Sequence, residues 1–227
     1  MRPLFRQSQA ITLIASLATA GSLLASAPDM PEITEEGLHK LKDTNLGLVY
    51  ADPDADLSTY DRVHLLEASV AFKKNWQRDQ NRSYAFKVKA SDMERMKSGL
   101  AELFHDVFSE ELAEGGYELT EETADDVLLI RPAIINLDVT APDVQSATRS
   151  YQYAESAGEM TLYVELYDAV TGALLAKAMD RKRDRDRGYF QWQSRVTNTS
   201  AAKRILKSWA ETLREALDEA HVVTTKD

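Results

Sequence analysis

The run VLLIRPAIINLDV extends from Val127 to Val139 and is rich in β-branched residues. Such a composition favours a β-strand over a helix. Pro132 lies inside the run, and proline has no backbone N–H to donate to a neighbouring strand. The sequence therefore predicts a long strand that either lies at the edge of a sheet or carries a bulge at Pro132.

Three further segments have strand character. They are Tyr60 to Phe72, Met160 to Tyr167, and the residues from Leu174 onward. Between the last two, Asp168 to Gly172 has the composition of a hairpin turn, because Asp can accept from local amides and Gly can adopt a positive φ. With a four-residue loop, Asp168 faces Ala173, which predicts Glu159 opposite Lys182 and Met160 opposite Arg181.

Two segments have helical periodicity. The first follows Ser91 and Glu94, which have the spacing of a capping box, and ends at Gly115-Gly116. The second includes Trp209 and is expected to be capped between Thr197 and Ser200. The order of elements predicts an α+β fold, a two-layer sandwich in which a small, mainly antiparallel sheet of about four strands carries both amphipathic helices on one face.

The first 27 residues have the features of a bacterial export signal. Arg2 and Arg6 precede an apolar run, and Ala25-Ser26-Ala27 is a small-residue cleavage site, with cleavage after Ala20 as an alternative. A membrane anchor is the competing interpretation, but the run is short for a spanning helix. We therefore expect a signal peptide at 1–27, a lead-in segment at 28–59 and one α+β domain at 60–222, in a protein exported to the periplasm.

Parts of the chain resemble a known family. The segments GLVYADPDADLSTYDRVHLLEASVAF and LYVELYDAVTGALLAKAMDRKR, together with the closing helix, resemble exported bacterial lipoproteins catalogued as domain of unknown function 3313. The resemblance covers roughly residues 35 to 220, and it implies an envelope location without implying any chemistry. The family's lipidated Cys is replaced by Ala27, so outer-membrane association requires a lipidated form that this sequence does not encode.

The sequence contains no catalytic motif. The chain has no Cys, which excludes disulfides, thiolate catalysis and Cys-ligated metals. Neither a nucleophile elbow nor a P-loop nor a dinucleotide fingerprint occurs, and the histidines lack ligand spacing (His39, His64, His105 and His221). We therefore expect a non-enzyme without cofactor or metal, and the alternative is a periplasmic hydrolase that uses paired carboxylates.

Charge is segregated along the chain. The formal net charge is −10, and removal of a signal ending at Ala27 takes two arginines and no acids, which leaves −12. Such a protein repels nucleic acid on average. Residues 71–89 nevertheless contain six Lys or Arg against Asp79 alone, and residues 177–187 contain six against three Asp. In the second stretch, DRKRDRDR alternates with the period of a strand.

These stretches give two hypotheses. In the first, they form a basic and aromatic surface that binds an anionic group, a cell-wall glycan or an envelope protein. Its residues would be Trp76, Arg78, Tyr84, Arg183, Arg185, Arg187 and Trp192. In the second, the arginines are solvated strand ends that neutralise acidic turns, where each exposed pair contributes about 0 to 1 kcal/mol. The acids in question are Glu121, Glu122, Asp125 and Asp126.

Overall fold

In a computed structural model of the chain, the residues described are 30–83, 87–139, 152–154, 158–183, 191–193 and 195–224. The expected signal peptide therefore lies outside the described residues and stays a prediction. The chain from Pro31 onward forms one unit. Within the described residues, no helix combines the length and the apolar composition needed to cross a membrane.

The main sheet has eight strands in the described residues and is mixed, with both antiparallel and parallel pairs. Its strands are β1 (His39–Lys40), β2 (Leu48–Ala51), β3 (Arg62–Leu65), β4 (Ser69–Phe72), β5 (Glu118–Leu119), β6 (Val127–Val139), β8 (Gly158–Asp168) and β9 (Leu174–Arg183). The order is β1-β2-β9-β8-β6-β3-β5, and β4 also pairs with β6. Two more strands, β7 (Gln152–Ala154) and β10 (Gln191–Gln193), pair separately.

The α+β class is confirmed, but the small sheet of about four strands is wrong. The segment expected to be one strand, Tyr60 to Phe72, forms two short strands, β3 and β4, and both run parallel to β6. The lead-in segment supplies β1 and β2, and β2 pairs with β9. Strands of two to four residues are too short for periodicity to show, so only pairing with a long neighbour reveals them.

The strand β6 has the bounds that the sequence predicts, but it lies inside the sheet. On one side it pairs with β8 through Pro132, and on the other it pairs with β3 as far as Ile130 and with β4 from Ala133. The amide of Leu66 donates to the carbonyl of Ile130 at 3.0 Å, so the nitrogen of Pro132, two residues on, faces the same side. Pro132 therefore occupies the gap between β3 and β4, and neither the edge position nor a bulge at Pro132 is correct.

The hairpin of β8 and β9 forms at the predicted turn, with a different register beyond it. Asp168 accepts from the amide of Thr171, Gly172 has a φ of 69°, and the amide of Asp168 donates to the carbonyl of Ala173. Leu175 is then an extra residue in β9, which shifts the pairing. As a result, Glu159 faces Arg183 instead of Lys182, and Met160 faces Lys182 instead of Arg181.

Three helices complete the described fold: α1 (Trp76–Ser83), α2 (Ala90–Glu114) and α3 (Arg195–Thr224). The predicted end of α2 at Gly115-Gly116 is confirmed, but Asp92, rather than Glu94, accepts from the backbone ahead of the helix, at the amide of Lys89. Helix α3 begins before the predicted cap, and α1 has no counterpart in the sequence predictions. Apolar residues of α2 and α3 share one core with the same face of the sheet, so the two long helices lie on one face as predicted.

Candidate functional site

The first half of the charged ladder forms the last four residues of β9, Asp180 to Arg183. Because side chains alternate across a sheet, Asp180 and Lys182 face the helices. Trp209 Nε1 donates to Asp180 Oδ2 at 2.7 Å, the amide of Gly47 donates to Asp180 Oδ1 at 3.0 Å, and Lys182 Nζ donates to Ser208 Oγ at 2.6 Å. These two charges therefore attach the strand to α3 and to the loop before β2.

The other two ladder residues lie on the face without α2 and α3. Arg181 Nη2 donates to both carboxylate oxygens of Glu159, at 2.7 Å each, and Arg183 is the cross-strand partner of Glu159. The Arg181 guanidinium holds the pKa of the Glu159 carboxyl below its usual value, against partial burial, and the charges of Lys73 and Arg183 lower it further. Lys73, from the basic stretch at 71–89, is thus close to the basic stretch at 177–187.

Lys73 completes this group by binding the next strand. Its Nζ donates to Asp138 Oδ2 at 3.2 Å, and Asp138 is the cross-strand partner of Glu159. We call Lys73, Asp138, Glu159, Arg181 and Arg183 the charged end of the sheet. The fold thus brings together two basic stretches that are far apart in sequence.

The first basic stretch is exposed along the part that the structure describes. Arg78 lies on α1, its side chain is 62% exposed, and it pairs with Asp79 at 3.2 Å. The exposed cations of the stretch are Lys73, Lys74, Arg78, Arg82, Lys87 and Lys89, which we call the basic surface. An exposed cluster of one sign attracts anionic groups even on a protein of negative net charge.

Trp76 does not belong to this exposed surface. It is only 3% exposed, and its ring stacks on Phe72 with centroids 4.3 Å apart. As the first residue of α1 it turns inward, so the expectation that its ring is available for stacking on a ligand is corrected. Tyr84, Arg185 and Arg187 lie outside the described residues, and of Trp192 only the backbone in β10 is described, so their roles stay predictions.

The acids of the second hypothesis lie at the other end of β6 from Arg183. Arg62 Nη2 bonds Asp126 Oδ1 at 2.6 Å, and Arg62 Nη1 bonds Glu122 Oε2 at 3.0 Å. Asp126 precedes the start of β6, whereas Asp138 lies near its end, about 40 Å away at roughly 3.3 Å per residue. Neutralisation of these acids by Arg183 is therefore wrong, and Arg62 pairs with two of them, Glu122 and Asp126.

A buried carboxylate on the sheet face without α2 and α3 was missed by sequence reasoning. Glu165 is 8% exposed and accepts from Arg131 Nε at 2.7 Å, Tyr163 OH at 2.6 Å and Tyr167 OH at 3.0 Å. Burial raises the pKa of Glu165, but these hydrogen bonds outweigh it and lower the pKa below its usual value. The alternation Tyr-Val-Glu-Leu-Tyr was the available signal, since it places both tyrosines beside the acid on one face.

A cavity opens beside the charged end, between α2, α3 and the adjoining ends of β6 and β8. Its volume is about 300 Å³, and its lining is mostly apolar but includes Asp138 and Glu159. Across the part of the chain that the structure describes, no group of three or more His, Cys, Asp or Glu side chains could hold a metal ion.

The family of the chain follows from its match to a family model. The model described as "Protein of unknown function (DUF3313)" matches residues 35–213, which include most of the elements around the charged end. The chain belongs to the DUF3313 family. The resemblance noted from the sequence is thereby confirmed. No curated protein matches the chain.

Several solved structures are similar to this DUF3313 protein at low identity. A PelC dodecamer from Paraburkholderia phytofirmans is 13% identical, with 73% of this chain and 96% of that chain covered and a TM-score of 0.38. Protein XCC0632 from Xanthomonas campestris, of family DUF330, is 8% identical. The match covers 78% of this chain and 94% of that chain, with a TM-score of 0.44. A DUF4136 family protein from Bacteroides thetaiotaomicron is 11% identical. The match covers 73% of this chain and 94% of that chain, with a TM-score of 0.35. Likenesses this weak give no ground for transferring a function.

Proposed function

We propose that this DUF3313 protein is a non-catalytic accessory or binding protein of the bacterial cell envelope, and that it binds an anionic partner, an envelope protein or a cell-wall glycan. The observation that carries the proposal is the meeting of the two basic stretches around Glu159. The envelope location is supported by the export signal expected at 1–27. The burial of Trp76 removes its ring from this surface, whereas Tyr84 and Trp192 stay proposed contacts.

Two variants test the proposal. One replaces Lys74, Arg78 and Arg82 of the basic surface by Gln, and the other replaces Arg183, Arg185 and Arg187 by Gln. Both should leave the melting temperature nearly unchanged, because exposed ion pairs contribute little to stability. Recovery of partners from envelope extracts should fall at least tenfold in each variant, and raised salt should reduce recovery by the unaltered protein.

The matched control removes the same number of charges from elsewhere on the surface, by Gln substitution of Lys42, Lys203 and Lys207. These residues are exposed and lie outside both basic stretches. Partner recovery should be retained in the control. Equal loss in the control would show a dependence on net charge alone, and full recovery by both test variants would rule out the basic stretches as the binding surface.

A hydrolase remains the second candidate, because two acidic residues, Asp138 and Glu159, are among the lining residues of one cavity. A general acid of a glycosidase needs a raised pKa so that it is protonated near neutral pH. Here Lys73 binds Asp138 and Arg181 binds Glu159, and the pKa of Glu159 is lowered. This electrostatic arrangement favours the non-catalytic function.

A further inference from the structure

The cavity beside the charged end has the size and composition of a small ligand site. Its volume of about 300 Å³ lies at the lower limit of the roughly 300–1,000 Å³ that ligand pockets occupy. The interior walls include Met96 and Leu103 of α2, Leu137 of β6, Met160 of β8 and Ile205 of α3. Methionine side chains are flexible and fit irregular apolar shapes, so these walls can adapt to a hydrocarbon.

Gly99 lies on the rim of this cavity, in the interior of the 25-residue helix α2. A glycine in a helix interior costs about 0.5–1 kcal/mol relative to alanine. A Cβ built on Gly99 meets no atom within 4 Å, and its φ is not positive, so neither packing nor backbone conformation requires glycine there. What the missing side chain does provide is open space at the mouth of the cavity.

The charged residues of the lining have partners. Asp138 is bound by Lys73, Glu159 by Arg181, and Arg95 by Asp92 at 3.0 Å. The polar residues Asn198 and Thr199 of α3 also line the opening. A ligand with its apolar part inside would therefore meet a polar rim of nearly balanced charge.

We infer that this cavity binds the single alkyl chain of an amphiphile whose head group is uncharged or zwitterionic. The chain occupies the apolar interior and excludes water from it, and the head group lies at the mouth between α2 and α3. The inference goes beyond the proposed function and does not depend on it, because the anionic partner was assigned to the exposed cations of the basic stretches.

The experiment titrates the exported protein with octyl, decyl and dodecyl phosphocholine below micelle formation, by calorimetry. Affinity should rise about fourfold for each added methylene, as burial of hydrocarbon predicts. Dodecyl maltoside should bind comparably, while dodecanoate and dodecyltrimethylammonium should bind more weakly than either. A charged probe that binds much more tightly, or the absence of binding by any alkyl probe, would overturn the inference.

Variants locate the binding. Gly99→Leu extends a side chain into the mouth, and Ala202→Leu fills the cavity from α3, where Ala202 is part of the lining. Both should reduce dodecyl phosphocholine affinity at least tenfold, and Gly99→Leu should keep or raise the melting temperature, since leucine favours helix over glycine. Ser98→Leu is the matched control, because Ser98 is exposed on the same helix outside the lining, and its affinity should be unchanged.

Unchanged affinity in both cavity variants would place the probe elsewhere and refute the cavity site. The substitutions of Lys74, Arg78 and Arg82 should leave alkyl binding intact. Loss of partner recovery with retained alkyl binding, or the reverse, therefore separates failure of the proposed function from failure of this inference.

Discussion

At the scale of the residue, charges that look solvated in the sequence have specific partners in the fold. Asp180 belongs to a ladder of alternating charges, yet it accepts a hydrogen bond from the buried indole of Trp209. Lys182 Nζ lies 5.8 Å from the centroid of the same ring. A hydrogen bond to a charged acceptor contributes more than one between neutral groups, so this contact should stabilise the junction of β9 and α3 measurably.

Replacement of Trp209 by Phe should lower the free energy of unfolding by about 1.5–3 kcal/mol more than replacement of Trp76 by Phe, because only Trp209 loses a hydrogen bond to a carboxylate. Trp76 is the matched control, since its indole is equally buried but its Nε1 has no hydrogen-bond partner among the described residues. Urea unfolding of both variants measures the difference. Equal losses would show that the contact with Asp180 contributes nothing.

At the scale of the element, β6 shows how much and how little a local pattern conveys. Its bounds follow from the run of apolar and β-branched residues, but its central position in the sheet does not. Proline is expected at a sheet edge because it lacks a donor. Here the same requirement is met inside the sheet, since β3 has ended and β4 has not yet begun at Pro132.

Adding a proline one residue after Pro132 should be more damaging than removing Pro132. The nitrogen of Ala133 faces β8, on the opposite side from that of Pro132, so Ala133→Pro should remove a ladder hydrogen bond. It should cost at least about 1–3 kcal/mol, because the acceptor on β8 is left without its partner. Pro132→Ala should cost only about 1 kcal/mol, through lost packing of the ring. Urea unfolding at equal temperature compares the two, and a Pro132→Ala loss as large as that of Ala133→Pro would contradict the assigned side.

At the scale of the whole molecule, acids at both ends of the sheet are held ionised by arginines. Hydrogen bonding to Arg62 lowers the pKa of Asp126, and Arg181 lowers the pKa of Glu159. A carboxyl with a lowered pKa in the folded state stabilises the fold fully above its unfolded pKa and loses that contribution as pH falls through the folded value. Acid should therefore lower the stability of the fold through carboxylates at both ends of the sheet.

We expect the free energy of unfolding to be nearly flat in pH from 4.5, the ordinary pKa of Glu, to below 10.0, the ordinary pKa of Tyr. It should fall as the pH drops below 4.5 and through the lowered carboxyl values. Urea unfolding across this range measures the slope. Glu159→Gln should be less stable than the unaltered protein at neutral pH and should show a shallower decline in acid. A steeper decline in that variant would contradict the assigned role of Glu159.

By itself, the sequence determined the features that depend on local chemistry. The bounds of β6, the end of α2 at Gly115-Gly116 and the turn from Asp168 to Gly172 follow from periodicity and from the backbone freedom of particular residues. Family membership was also readable, because it rests on residues spread along the matched region. Each of these can be recognised without knowing which segments meet in space.

Only the tertiary structure decided which elements are neighbours. The short strands β1, β2, β4 and β5 carry too little pattern of their own, and each exists because a neighbouring strand offers unpaired backbone groups. The extra residue at Leu175 made Arg183, instead of Lys182, the cross-strand partner of Glu159. The side chain of Trp76, at the start of α1, is buried in the fold. The charged end and the adjoining cavity likewise arise from segments far apart in sequence, since their geometry depends on long-range packing that no local window contains.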